Sequence, residues 1–85
     1  MPVVLRHKGY RFFFVSRELD EPPHIHVEKA ENAAKFWLDP VMIARNHGFR
    51  GSQLSGIRTI IEEHCSVFLE KWYEHFGHKH GADGS

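Results

Sequence analysis

The sequence predicts a small α+β domain, an antiparallel sheet of about four strands in the order β-β-β-β-α-α, covered by a short helix and a long C-terminal amphipathic helix. Runs of β-branched and aromatic residues fill the first half of the chain, and apolar residues recur at helical spacing in the second. The two patterns do not alternate, which argues against the parallel sheet of a nucleotide-binding fold. No G-x-G-x-x-G, P-loop or G-x-S-x-G is present either.

The elements follow in order. Val3-Val4-Leu5, a turn at Lys8-Gly9, and Tyr10 to Ser16 read as a first hairpin. Arg17 to Pro23 is charged and ends in two prolines, which donate no backbone hydrogen bond, so it is a loop. His24 to Lys29 alternates polar and apolar residues, and Ala33 to Leu38 follows after an Ala30-Glu31-Asn32 turn, giving a second hairpin. Asp39 and Pro40 fit the cap and first position of a short helix over Pro40 to Asn46, which His47-Gly48 ends. Gly51-Ser52 opens the long helix, with Ser52 as its expected cap. Leu54, Ile57, Ile61, Cys65, Phe68, Trp72 and Phe76 fall within an arc of roughly 100° on it. Residues 1–77 form one domain, and 78–85 form a flexible tail with too few apolar groups to pack.

Composition bounds the function. The 85 residues carry eleven Lys+Arg, eleven Asp+Glu and eight His, for a formal net charge of zero. Strong nonspecific attraction to nucleic acid is not expected from that balance, although a local basic patch remains compatible with it. A lone Cys65, no zinc-type Cys pair, no signal-peptide pattern and no membrane-length apolar run point to the cytoplasm. A domain this short buries only about 60% of its unfolded surface, so self-association or a partner is expected to supplement its stability.

Alternation places His24, His26 and Glu28 on one face of the third strand, away from Ile25 and Val27. Alternation leaves the register open; with Tyr10, Phe12, Phe14, Ala34, Phe36 and Leu38 inward on the neighbouring strands, Arg11, Phe13 and Val15, and Lys35 and Trp37, would turn to that same side. Two histidines two residues apart on a strand sit about 7 Å apart, close enough to address one ligand. Three readings compete. As acid and base, His24 and His26 would serve ribonucleolytic cleavage, with Arg11 and Lys35 holding phosphate and Trp37 stacking on a base. As metal ligands, His24 and His26 would be joined by Glu28 or another His around a divalent transition ion, although the ligand set is incomplete and no cofactor is otherwise implied. As ordinary strand residues, they would tie down the Pro22-Pro23 turn or face a protein partner. The last is individually the favoured account.

Other groups carry weaker signals. His75, His78 and His80 match no standard metal site. Cys65 lies in the apolar stripe of the long helix and reads as packing, as does Trp72. Lys35, Arg45, Arg50 and Arg58 would make a phosphate-binding patch only if folding gathered them.

Gly9-Tyr10-Arg11-Phe12-Phe13-Phe14, Glu21-Pro22-Pro23-His24-Ile25-His26-Val27, Ala34-Lys35-Phe36-Trp37-Leu38-Asp39-Pro40 and Ala44-Arg45-Asn46 together resemble the small bacterial family of domains of unknown function numbered 4160. The resemblance runs from about Met1 to Gly77. Its His-x-His motif maps onto His24 and His26, with Ile25 where valine is usual, and its Lys-Phe-Trp stretch onto Lys35, Phe36 and Trp37. It implies a toxin-like member of a type II toxin-antitoxin-like pair, bound by a small antitoxin from the family numbered 2442. It implies no settled reaction.

Overall fold

Strands β1 (Val3–His7), β2 (Tyr10–Phe13), β3 (His24–Lys29), β4 (Asn32–Leu38) and β5 (Val41–His47) precede helices α1 (Gly51–Glu63) and α2 (Cys65–Phe76). The computed structural model describes residues 3–15 and 20–77. The expected tail over 78–85 and part of the charged loop lie outside the described residues.

The strands form one antiparallel meander in the order β1-β2-β3-β4-β5, so the α+β class stands, with one strand more than expected. Tight turns set the registers. Lys8 and Gly9 both take positive φ, at 54° and 85°, as a hairpin turn matched to strand twist requires. Ala30, with φ 55°, turns β3 into β4 so that Lys29 pairs with Asn32.

The third turn corrects the sequence reading. Asp39 and Pro40, joined by a cis peptide, turn β4 directly into β5, and Leu38 pairs with Val41. Residues 41–47 are therefore an edge strand, and Asp39 caps no helix. Asp-Pro suits a turn as well as a helix start, and pairing with the otherwise open edge of β4 decides between them. Gly48, at φ 102°, ends β5, and the Asn46 amide closes the turn through bonds to the Phe49 N–H and C=O at 3.1 and 3.0 Å. Phe49 thereby enters the core, which the sequence pattern did not indicate.

The long helix is two. His64, at φ −114° and ψ 13°, ends α1 and precedes α2. Its amide still bonds back to Ile60 and Ile61 at 3.1 Å, and its carbonyl accepts from Phe68 at 2.9 Å, so little hydrogen bonding is lost. The apolar stripe survives the break, with Ile57, Ile61, Phe68 and Trp72 buried and Ile60 added to them. Arg50, not Ser52, takes the cap position of α1, and its N–H donates to the Gln53 side chain at 2.9 Å.

Both helices lie on one face of the sheet. The inward side chains Phe12, Phe14, Ile25, Val27, Phe36 and Leu38 are all buried there, as alternation predicts. Phe12 packs on Phe68 with ring centroids 5.6 Å apart, and Phe14 meets Trp72 edge-on at 5.4 Å. Burying each such aromatic contributes on the order of 2 kcal/mol, which makes this single layer the main source of stability. Among the described residues, no helix is long and apolar enough to cross a membrane.

Candidate functional site

The face opposite the helices is built by strand register. Directly paired residues share a face, so Val3, Phe13, His26, Lys35 and Arg45 form one row across all five strands. A second row holds Arg6, Arg11, Glu28, Ala33 and His47, and a third brings His24, Trp37 and Met42 together. Neighbours in a row stand about 4.8 Å apart, and successive rows about 6.8 Å. A chain neutral overall thus collects Arg6, Arg11, Lys35 and Arg45 on one surface, against Glu28 and the incoming Glu21.

The expected site residues do gather here, but with unequal access. His26 is half-buried and stacks on Phe13, with centroids 5.5 Å apart and planes 18° from parallel. His24 is 0% exposed, contrary to its expected place on an open surface. It stands at the end of the sheet, where Trp72 closes over its ring at 4.9 Å and Trp37 meets it edge-on at 5.7 Å. Its Nδ1 lies 2.9 Å from the Pro22 carbonyl, which only accepts, so the proton sits on Nδ1 and ties down the proline turn. The two histidine rings meet nearly at right angles, 5.2 Å apart. A ligand on the open face reaches His26, while His24 lies behind it.

Lys35 is also buried, at 6% exposure, where alternation alone suggested an exposed cation. Its ammonium donates to Glu21 from the loop before β3 and lies 4.9 Å above the Trp37 ring. A buried ammonium needs such a counter-charge. Arg11 pairs with Glu28 across the β2–β3 ladder, which also relieves the repulsion from Arg6 opposite. Neither Arg6 nor Arg45 has a carboxylate partner among the described residues.

Between β3, β4 and β5 the surface dips into an open groove of about 410 Å³, lined by His26, Ala33, Ala34, Lys35, Arg45 and His47. Its floor is low because Ala33, between Glu28 and His47 in the second row, has no long side chain. Sequence reasoning passed over His47 as a helix terminator and Glu21 as a loop charge. Had β5 been recognised as a strand, alternation from Arg45 would have put His47 on this face. Of the other anticipated cations, Arg50 caps α1 and Arg58 pairs with Glu62 on that helix, so neither belongs to the patch.

Glu28, the third expected metal ligand, is engaged by Arg11, and no group of three His, Cys, Asp or Glu side chains is arranged to hold a metal ion among the described residues. His75 stacks on Phe14 at 6.1 Å, in the helical layer. Cys65 is half-buried, and its thiol donates to the Leu38 carbonyl at 3.1 Å. Burial, with smaller contributions from Asp39 and Glu62, holds that thiol above its ordinary pKa, opposite to what a nucleophile needs.

The fold and site define a small α+β domain with one helix-covered sheet face and one open, cation-bearing face. The chain belongs to the domain of unknown function family DUF4160, whose model matches residues 9–73. The matched span holds β2 to β5, α1 and most of α2, and thus His24, His26, Lys35 and Trp37. No curated protein and no solved structure matches the chain.

Proposed function

We propose that the open sheet face binds single-stranded nucleic acid, RNA in the first instance, in support of the toxin-like role that the family resemblance implies. One observation carries the reading: the row Phe13, His26, Lys35, Arg45, which sets a stacked aromatic pair beside two cations on a helix-free surface. Aromatic side chains on a sheet supply stacking platforms for unpaired bases, and flanking cations follow the phosphates. Arg45 and Arg6 bring charge without a carboxylate to displace among the described residues, and Trp37 and His47 extend the surface on either side.

In this reading His26 touches the strand. His24 is a positioning residue, since its proton is donated to Pro22 and its ring buttresses His26. Any proton transfer to or from a ribose hydroxyl runs through His26 rather than through two equivalent histidines.

The test is anisotropy of a labelled oligoribonucleotide of about twelve nucleotides, a length within the site sizes of sheet-based binders. Three to four phosphate contacts give a salt slope of about −2.1 to −2.8, hence about 20- to 50-fold weaker binding at 200 mM than at 50 mM salt. Arg45→Ala is expected to flatten the slope by about 0.7, and Phe13→Ala to weaken binding at every salt concentration. Absence of binding at low salt, or binding indifferent to salt, removes the proposal. Growth arrest on induced expression, lost in a folded His26→Ala variant, tests the toxin-like role separately.

A further inference from the structure

The cation row is already partly occupied from within. Lys35 and Arg45 stand directly opposite each other on β4 and β5, and like charges in that relation repel. Glu21 neutralises Lys35 but is not paired with Arg45. Its carboxylate, 40% exposed, stands at the boundary between the buried ammonium and solvent, on the loop leading into β3. Beside it opens the groove that Lys35, Arg45, His26 and His47 share.

We propose that Glu21 holds the place of a phosphate, and that a phosphate group bridging Lys35 and Arg45 displaces it. This rests on the nucleic-acid reading of the same face only in naming a phosphodiester as the source of that group. The charge balance supports the exchange. A buried ammonium needs one counter-charge, which a Glu carboxylate and a phosphodiester each provide. The phosphate has oxygens left for the fork of the Arg45 guanidinium, so it reaches both cations of the row, whereas Glu21, whose carboxylate also stands 3.8 Å from His24 Nδ1, reaches only Lys35 of the two. That differential contact allows a ligand to shift the Glu21 carboxylate off Lys35. Glu21 thus sets a threshold, keeping Lys35 neutralised until a phosphate arrives close to Arg45.

Two arms test the idea and separate its sources of phosphate. In the first, the same oligoribonucleotide is titrated against wild type, Glu21→Gln and Glu21→Gln/Lys35→Met. The single variant is expected to bind about tenfold tighter, and the double variant to lose that gain. In the second, melting temperature is followed with inorganic phosphate and with chloride at equal ionic strength. Phosphate is expected to raise the melting temperature of Glu21→Gln more than that of wild type, while chloride raises neither.

A gain in both arms supports the seat with a strand as its ligand. Phosphate stabilisation without oligonucleotide binding by any variant keeps the seat and overturns the strand reading. Unchanged or weaker oligonucleotide binding together with no phosphate-specific stabilisation overturns the seat. Glu21→Asp, which keeps the charge but shortens its reach to Lys35, serves if Glu21→Gln is not folded, with a smaller gain expected in the same direction.

Discussion

The Glu21–Lys35 pair makes an asymmetric prediction about stability. Glu21→Gln leaves a 7% exposed lysine side chain with no counter-charge, whereas Lys35→Met leaves a carboxylate that is already 40% exposed to water. Breaking a fully buried ion pair from one side costs about 3–5 kcal/mol. Because Glu21 is well exposed and glutamine still accepts a hydrogen bond, that figure is discounted here to about 1.5 kcal/mol. For a domain of this size each kcal/mol moves the melting temperature by about 4–8 °C, so Glu21→Gln is expected to melt about 6–12 °C below wild type. Lys35→Met removes the charge that needed compensation. Its lost cation–π contact with Trp37 is offset by a sulfur–aromatic one, leaving it within about 0.5 kcal/mol of wild type. The double variant is expected to match Lys35→Met, giving a coupling of about 1.5 kcal/mol in a cycle measured by urea denaturation. A Lys35→Met loss as large as that of Glu21→Gln, or strictly additive losses, would refute the reasoning, because neither occurs if burying the lysine sets the cost.

Three further outcomes follow from the packing. His24→Ala is expected to cost about 2–3 kcal/mol, from the lost ring packing against Trp72 and the orphaned Pro22 carbonyl, whereas His26→Ala costs under about 1 kcal/mol; equal melting temperatures for the two would contradict the burial described. Gly48→Ala is expected to lower stability by about 2 kcal/mol or more, since φ is +102° and a β-carbon would stand 2.2 Å from the Asn32 side-chain oxygen; an unchanged denaturation midpoint would show that the turn relaxes freely. Cys65, its thiol held above the ordinary range, is expected to react with a thiol reagent near pH 8 more slowly than free cysteine. Its linked stability contribution is present in full below the unfolded thiol pKa of about 8.5 and is lost as pH rises through the raised folded value. Cys65→Ala should remove that part of the alkaline slope.

Much of the fold was legible because its signals are local. Alternation in residues 24–29 and 33–38 fixed which side chains face the core, since a one-residue slip would have exposed Phe36 and Ile25 together. The helical stripe from Leu54 to Phe76 survived the break at His64 because a single displaced residue leaves the apolar face nearly in line. β5 was not legible. Val41 to His47 mixes strand and helix formers behind an Asp-Pro pair that serves either, and the hydrogen bonds that decide the matter come from β4.

The candidate site divides in the same way. The sequence alone determined that His24 and His26 share one face of their strand and Lys35 and Trp37 one face of theirs, because the two-residue period of a strand is a property of the chain itself; strand register then set them and Arg11 on one sheet face. Only the tertiary structure decided their access and their charges: Trp72 seals His24, Glu21 neutralises Lys35, and β5 brings Arg45 and His47 alongside His26. Those outcomes depend on residues distant in sequence, and burial and Coulomb energy are set by what lies within a few ångströms in space, which no local pattern records.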